Sequence, residues 1–247
     1  MVRDLLAAAL DLVLPAACPG CGDTGAPLCA SCAAAVSPCP RLVVPRPTPP
    51  AWPPCWAGGD YEGVAAALVR AYKDGDRRDL APVLALPLAR ALDAVLRADP
   101  TTARAAAGGG LLVVPAPSAP GTARARGDRP VPALARRAVL GLRPEEARVV
   151  DVLRLRRGVR DQATLGGAGR RANLAGAMHV SPSGTGLLVG ATCVLVDDVV
   201  TSGSTLAEAA RVLRWAGAAR VVAACALATP LRSDREGPAL ASAPVGV

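Results

Sequence analysis

The sequence contains no phenylalanine and, among 247 residues, only two tyrosines, three tryptophans and one histidine. Because aromatics make up 2% of the chain and hydrophobic residues 51%, alanine, valine and leucine must fill the core through many close contacts. This hydrophobic share excludes a disordered protein. The single histidine, His179, gives little support to a Ser-His or Cys-His mechanism or to a histidine metal site, so we interpret it as structural.

Lysine is almost absent as well, since Lys73 is the only one and arginine carries most of the net charge of +8. A positive balance suits an anionic ligand, whether a phosphate, a nucleic acid or a membrane surface. The charge is uneven, because residues 124–171 hold thirteen arginines and only five acids. This region is either a solvated surface or a surface that faces phosphates.

Long hydrophobic runs are also missing. No apolar stretch reaches the roughly 18 residues that a membrane-spanning helix needs, so we expect no membrane insertion. The apolar stretch 5–14 resembles a short signal sequence, but acidic residues at 4 and 11 interrupt it. We therefore expect an amphipathic helix over residues 3–14 and a cytoplasmic protein, with secretion or lipidation as the weaker alternative.

Strand-like and helix-like patterns alternate along most of the chain, which predicts an α/β fold with a parallel sheet flanked by helices. Residues 98–110 are predicted to be a polar, glycine-rich break. Ligands of such sheets bind where strands end and helices begin, which directs attention to residues 196–204. Helices are predicted over 61–72, 79–97, 130–140 and 205–216, and strands over 111–114, 149–153, 191–196 and 221–227.

The chain is predicted to divide at a proline-rich segment. Residues 38–56 contain eight prolines, which exclude a regular helix or a central strand and are typical of a semi-rigid linker. Residues 1–37 would then form an N-terminal helix with a small cysteine module, residues 57–230 the α/β domain, and residues 231–247 a disordered tail.

The segment 194–206 combines an apolar strand, two adjacent acids, a loop of small hydroxylated residues and a helix. Free N–H groups at a helix N-terminus attract anions, and Gly203 lets the backbone approach a ligand closely. A plain helix cap is the alternative, but a cap does not explain the carboxylates of Asp197 and Asp198, which are costly to bury without a partner. The spacing differs from the lysine-containing phosphate loop of the G-x-x-x-x-G-K type.

Four cysteines form two C-x-x-C pairs near the N-terminus, a pattern that supplies four thiolates to a tetrahedral Zn²⁺. Because four sulfurs leave no open position, we expect a structural zinc site. Disulfides are disfavoured in a cytoplasmic protein, and a redox pair lacks the expected βαβ surroundings. We interpret Cys39 and Cys55 as loop cysteines and Cys193 and Cys225 as core residues. The predicted zinc ligands are Cys18, Cys21, Cys29 and Cys32.

The segment 194–206 resembles the motif by which phosphoribosyltransferases bind phosphoribosyl pyrophosphate (PRPP). The resemblance implies that Asp197 and Asp198 hold the ribose hydroxyls and that Mg²⁺ bridges pyrophosphate and ribose oxygens. The reaction would displace pyrophosphate at the anomeric carbon, with arginines stabilising the leaving charge. The same resemblance assigns the 5′-phosphate to Thr201, Ser202, Gly203, Ser204 and Thr205.

A four-cysteine module ahead of such a domain is similar to the ComF family, which is linked to competence for DNA uptake in some bacteria. Further matching pieces are Tyr61-Glu62-Gly63, Val114-Pro115-Ala116-Pro117 and Arg126-Gly127, although the arginine-glycine pair continues as Asp128-Arg129-Pro130 instead of the usual Phe-Asn-Gln. The resemblance implies a type I phosphoribosyltransferase-like fold. It adds Lys73 and Arg154 as catalytic candidates, and Ala116, Pro117, Gln162 and Arg170 as PRPP-binding candidates.

Two classes of function remain open at this level. The first is a PRPP-binding phosphoribosyltransferase with Mg²⁺, either catalytic or retained as a PRPP sensor, and a homodimer by analogy with phosphoribosyltransferases. The second is a non-catalytic interaction factor of the competence machinery that binds single-stranded DNA or a competence helicase through residues 124–171. That stretch has no aromatic residue for base stacking, so such binding would rest on arginine contacts to the nucleic-acid backbone.

Overall fold

A computed structural model describes residues 17–36, 38–117, 129–142, 146–156 and 176–230. The predicted helix over 3–14 and the predicted tail over 231–247 lie outside the described residues. Among the described helices, none combines the length and the apolar character that crossing a membrane would require.

Within the described residues, eight strands form two sheets. The main sheet has the order β1-β2-β8-β7-β3-β4, and every neighbouring pair in it is parallel except β1 with β2. Strands β5 and β6 form a separate antiparallel pair. In chain order the strands are β1 (Arg41–Leu42), β2 (Cys55–Ala57), β3 (Leu111–Pro115), β4 (Ala147–Val149), β5 (Leu153–Leu155), β6 (Met178–Val180), β7 (Thr192–Val200) and β8 (Arg220–Ala228).

Seven described α-helices surround the sheets, together with three short 3-10 turns. The longest helix, 81–98, follows the turn 78–80 directly. The helices are α1 (Ala30–Ala34), α2 (Gly63–Asp74), α3 (Ala81–Ala98), α4 (Pro100–Ala107), α5 (Pro130–Ala138), α6 (Thr185–Leu188) and α7 (Ser204–Trp215), and the 3-10 turns are Arg78–Leu80, Val139–Gly141 and Pro182–Gly184.

Two hydrophobic clusters cover the two faces of the main sheet. One joins helices α2, α3 and α5 to side chains such as Val194 and Val196 of β7. The other joins α7 and the β5–β6 pair to Cys193 and Leu195 of the same strand. This alternation along β7 is the period-2 pattern of a strand buried on both faces. The largest fully buried side chains are leucines except for Tyr72, which confirms a core built from small aliphatic residues.

The parallel α/β fold is confirmed, but two predicted segments are wrong. The predicted break over 98–110 contains α4, because the Asp99 side chain accepts a hydrogen bond from the N–H of Thr102 at 2.8 Å. Asp99 thus caps the helix and Pro100 occupies its first position, which a proline favours. The predicted strand over 149–153 is divided into the end of β4 and the start of β5. Asp151, a poor strand former, lies at the break.

The proline-rich segment 38–56 is also corrected, since it contributes β1 and the first residues of β2 to the main sheet. Cys55 lies opposite Ala223 of β8. The carbonyl of Pro54 accepts a hydrogen bond from the N–H of Ala223 at 2.8 Å. A proline lacks the donor but keeps its acceptor, so prolines beside this strand are tolerated. The division of the chain into domains stays a prediction.

Candidate functional site

Strand β7 carries both acidic candidates within its last four residues. The strand was predicted to end at Val196, but it continues to Val200 because its pairing with β8 extends to Val200 opposite Ala228. Asp197 and Asp198 therefore lie inside the strand, where successive side chains point to opposite faces. The two carboxylates therefore face opposite sides of the sheet.

Asp197 points toward the side of helix α7 and lines the cavity formed by the loop that follows β7. Its Oδ1 accepts a hydrogen bond from the N–H of Asp198 at 2.9 Å. Burial, together with the neighbouring charge of Asp198, raises the pKa of Asp197 to about 8. Burial beside a second carboxylate therefore disfavours the charged form of Asp197.

Asp198 points to the opposite face, where Lys73 of helix α2 reaches it. The Lys73 Nζ lies 2.7 Å from the Asp198 Oδ1, and only 3% of the Asp198 side chain is exposed. Burial alone would lower the pKa of Lys73, but the charges of Asp198 and Asp197 outweigh it and raise that pKa. The Oδ2 of Asp198 is buried and has no hydrogen-bond partner among the described residues. That oxygen is an acceptor available to a ligand hydroxyl or a cation.

The loop 201–203, which we call the phosphate loop after the ligand that its sequence predicts, joins β7 to helix α7 and borders a concave cavity. Gly203 has a φ of +75° and precedes the first helical residue. The hydroxyls of Ser202 and Ser204 lie 3.0 Å apart. No hydrogen bond within the described part of the chain uses the main-chain N–H groups of residues 202–206. Free N–H groups at a helix N-terminus favour a phosphate. The cavity is lined by Asp197, Val199, Val200, Thr201, Ser202, Gly203, Ser204, Thr205 and Leu206.

Ala116 and Pro117 follow strand β3, and Ala116 lies beside β7. The N–H of Ala116 donates to the carbonyl of Val196 at 2.8 Å, and Ala116 is buried. Because β3 and β7 are parallel neighbours, with Pro115 opposite Val196, the carboxyl ends of both strands open at the same edge of the sheet. The structure thus brings Ala116 next to the acidic pair.

Arg154 lies on strand β5 of the small sheet, apart from the acidic pair in its contacts. Its Nη1 donates to the Asp151 Oδ1 at 2.9 Å and to the Leu153 carbonyl at 2.9 Å. Asp151 also binds Arg129, whose Nη2 lies 2.8 Å from the Asp151 Oδ1. Asp151 was not recognised from the sequence. These bonds use only Nη1 of a guanidinium that carries five N–H donors, so the pairing with Asp151 does not by itself exclude a contact to a pyrophosphate.

The remaining candidates, Gln162 and Arg170, lie outside the described residues, as do residues 124–128, 143–145 and 157–171 of the arginine-rich stretch. His179 of β6 is partly buried, and its Nδ1 has no hydrogen-bond partner among the described residues. The interpretation of Cys193 and Cys225 as core residues is confirmed, since both are fully buried in strands. Cys39 is exposed outside any strand, whereas Cys55, expected in a loop, is buried in β2.

The four N-terminal cysteines converge on one point. Their sulfurs all lie within 4.8 Å of one another, and Cys29 lies 3.7 Å from both Cys18 and Cys21. A tetrahedral zinc with Zn–S bonds of about 2.3 Å separates its sulfurs by roughly 3.8 Å. A hydrogen bond from the Cys29 backbone lowers the pKa of Cys18 to about 6, and hydrogen bonds also lower that of Cys29, whereas burial raises the pKa of Cys32 and the neighbouring thiols raise that of Cys21. A bound metal would hold all four sulfurs as thiolates. The donor set therefore fits a structural zinc ion.

Arg77 ties this cysteine module to the end of helix α2. Its Nη1 donates to the Ala17 carbonyl at 3.2 Å, and its Nη2 donates to the Pro27 carbonyl at 2.7 Å. Asp79 holds the guanidinium from the other side, at 2.7 Å. Helix α2 carries Lys73 and ends at Asp74, three residues before Arg77, so one stretch of chain contacts both the acidic pair and the cysteine module.

Trp52 and Pro45 contact the phosphate loop and were also missed in the sequence. A Cβ at Gly203 would lie 2.6 Å from the Trp52 Cζ3 and 2.7 Å from the Pro45 Cγ. Both residues belong to the segment predicted as a linker. A rare aromatic residue within a proline-rich segment is the one signal that could have suggested packing.

Comparison with known protein families identifies one domain in the chain. Residues 147–239 match the phosphoribosyl transferase domain. The matched range contains β7, the phosphate loop, α7 and β8, which are the elements that build the site. The chain thus contains a phosphoribosyltransferase-type α/β domain and, ahead of it, four cysteines able to bind zinc.

The comparisons with curated proteins and with solved structures add no further assignment. No curated protein matches the chain. A solved structure described as the allosteric regulatory enzyme of purine biosynthesis matches with 19% identity and a TM-score of 0.31. The match covers 50% of this chain and 25% of that protein, so the chain spans about a quarter of its length.

Proposed function

We propose that the protein binds PRPP with Mg²⁺ at the carboxyl end of β7 and acts as a phosphoribosyltransferase. The observation that carries the proposal is the cavity that joins Asp197 to the loop hydroxyls and the free N–H groups of residues 202–206. A carboxylate beside an anion site is the arrangement that a ribose 5-phosphate group requires, since its hydroxyls donate and its phosphate accepts.

The roles of the residues follow from their positions. Thr201, Ser202 and Ser204 would bind the 5′-phosphate with the helix N-terminus, and Asp197 would accept from a ribose hydroxyl. The unpartnered Oδ2 of Asp198 would accept from a second hydroxyl or bind Mg²⁺, a cation that prefers oxygen ligands. Lys73 balances the charge of this carboxylate, and Ala116 borders the expected pyrophosphate position.

Asp198 would hold Mg²⁺, which when bound would supply positive charge to the pyrophosphate leaving group. The protein's own contribution is to hold the ribose by its hydroxyls and 5′-phosphate, so that the anomeric carbon faces the acceptor. Arg154, Gln162 and Arg170 remain proposed contacts to the pyrophosphate.

Calorimetric titration with PRPP, with and without Mg²⁺, tests the proposal. We expect saturable binding that Mg²⁺ strengthens, and weaker binding of ribose 5-phosphate and of pyrophosphate alone. Absence of PRPP binding to the folded, zinc-loaded protein would refute the proposal. Release of pyrophosphate in the presence of candidate acceptors would then distinguish a transferase from a PRPP sensor.

The finer assignment rests on the resemblance to the ComF family. We propose on that basis a cytoplasmic protein that supports DNA uptake, with single-stranded DNA or a competence helicase as a partner and a homodimer as its assembly. The four-cysteine cluster ahead of the phosphoribosyltransferase-type domain supports this assignment. Loss of transformation in a competent host that carries the variant Asp197→Asn would connect the PRPP site to that role.

A further inference from the structure

The proline-rich segment 43–54 lies over the face of the sheet that helix α7 covers. Val43 is buried and Pro45 is buried, while Trp52 is partly buried and packs against the same hydrophobic cluster as α7. The Trp52 Nε1 donates to the Val43 carbonyl at 3.3 Å. The Thr48 hydroxyl donates to the Pro45 carbonyl at 3.0 Å. The segment is therefore folded back on itself as a compact loop.

Helix α7 fixes this loop from the far side. The Arg214 Nη1, near the end of α7, donates to the Ala51 carbonyl at 2.7 Å. Ala51 has a φ of +62°, a conformation that costs a non-glycine residue energy and persists only where the surroundings impose it. Ala51 and Trp52 are consecutive, so the bond from Arg214 holds the backbone immediately before the residue that carries the indole ring.

The indole ring of Trp52 contacts the phosphate loop at Gly203. Gly203 has no side chain, and the position of its missing Cβ is bounded by the Trp52 ring at 2.6 Å and 3.1 Å and by Pro45 at 2.7 Å. The contact is apolar and uses no N–H group of the loop. Trp52 and Pro45 can therefore restrict the movement of the backbone at Gly203. Their contact leaves the N–H groups of the loop free to bind an anion.

We propose that Trp52 is a positioning residue of the phosphate loop, holding Gly203 so that the N–H groups of residues 202–206 converge on the 5′-phosphate of PRPP. This inference rests on the proposed function and extends it to a segment outside the matched domain. An anion site gains affinity when its donors are fixed before the ligand arrives, because less ordering is needed upon binding.

The test compares ribose 5-phosphate with pyrophosphate, measured by calorimetry on the full chain. Trp52→Ala is expected to weaken ribose 5-phosphate and PRPP by about tenfold or more and to leave pyrophosphate affinity unchanged. Trp52→Phe restores a ring against Gly203 and should recover most of the affinity. Trp215→Ala is the matched control, since Trp215 lies at the other end of α7 and is 87% exposed, and it should change neither ligand.

Several outcomes would overturn the inference. One is equal ribose 5-phosphate affinity for Trp52→Ala and the intact protein. Another is an equal loss for both ligands, which would indicate a purely structural role. If the intact protein binds neither PRPP nor ribose 5-phosphate, the proposed function itself fails.

A second measurement applies if Trp52→Ala does not fold. In Trp56→Phe/Trp215→Phe, Trp52 is the only tryptophan, and its emission reports on the contact with Gly203. Saturating ribose 5-phosphate should shift or quench this emission, because the ligand orders the loop against the ring. Unchanged emission at saturation, established by calorimetry on the same variant, would contradict the proposal.

Discussion

Lys73 Nζ lies 2.7 Å from the Oδ1 of Asp198 and connects helix α2 to the central strand β7. The carboxylate is almost fully buried, whereas 37% of the lysine side chain is exposed. The only lysine of the chain thus compensates a charge that the core would otherwise disfavour.

Replacing this lysine should destabilise the protein. Removing one partner of a buried ion pair costs about 3–5 kcal/mol, and partial exposure of Lys73 reduces the expected loss for Lys73→Met to about 2 kcal/mol. Urea unfolding measures the change. Lys73→Met/Asp198→Asn should lose less than the sum of the two single variants. Additive losses would show that the pair is not coupled.

The raised pKa of Asp197 predicts the pH dependence of stability. Its ordinary value is 3.8 and its folded value about 8, so between these values the folded state binds more protons than the unfolded state. Stability from this group therefore falls as the pH rises from about 4 to about 8. Asp197→Asn removes the titration and should raise the melting temperature more at pH 8 than at pH 5. Equal shifts at both values would contradict the assigned pKa.

The raised pKa of Lys73 changes the stability of the protein only at a higher pH. A cation whose folded pKa exceeds its unfolded value contributes stability that is fully present below the unfolded pKa. For Lys73 that value is 10.5, so its contribution is constant across the window in which Asp197 titrates. The slope between pH 5 and pH 8 can therefore be assigned to Asp197 by comparing the intact protein with Asp197→Asn.

Alanine variants at two glycines with the same left-handed backbone conformation allow the cost of backbone strain to be measured apart from the cost of a steric contact. Gly203 has a φ of +75° and Gly190 a φ of +71°, but only a Cβ at Gly203 would meet other atoms. Each alanine variant should lose about 1 kcal/mol from its left-handed conformation. Gly203→Ala should lose about 1–3 kcal/mol more through overpacking, and it should weaken PRPP binding. Thermal unfolding and calorimetry measure both effects, and equal behaviour of the two variants would exclude the contact with Trp52.

The cysteine cluster predicts one zinc ion per chain. Cys29→Ser should lose the metal and lower the melting temperature, because a structural zinc contributes directly to folding free energy. Cys39→Ser is the matched control, since Cys39 is exposed and is not part of the cluster. Elemental analysis and thermal unfolding with a chelator provide the measurements. A zinc-free intact protein that melts at the same temperature with and without chelator would contradict the site.

The site residues that could be predicted are those whose chemistry is local in the sequence. Asp197, Gly203 and Thr205 lie within one strand-loop-helix unit, so the order of apolar, acidic and hydroxylated residues indicates their arrangement. The two C-x-x-C pairs could be predicted in the same way, because their spacing alone indicates that four sulfurs converge. In both cases short-range chain geometry brings the groups together.

The parts that were missed depend on long-range packing or on capping. Trp52 contacts Gly203 across most of the chain length, and no local pattern indicates that contact. The proline content of 38–56 concealed β2, because proline lacks only the donor and Pro54 still accepts a bond from β8. Helix α4 was not predicted because the glycines that follow it indicate a break in the chain, whereas the capping residue Asp99 is the signal for its start.

The most direct test of the PRPP site is calorimetric titration of Mg²⁺-PRPP into the intact protein and into Asp197→Asn/Asp198→Asn. Asp74→Asn serves as the control, since Asp74 is exposed beside Lys73. We expect binding to the intact protein and to the control, and loss of binding in the double variant while it remains folded. Equal affinity in all three proteins, or no binding to any of them, would contradict this expectation.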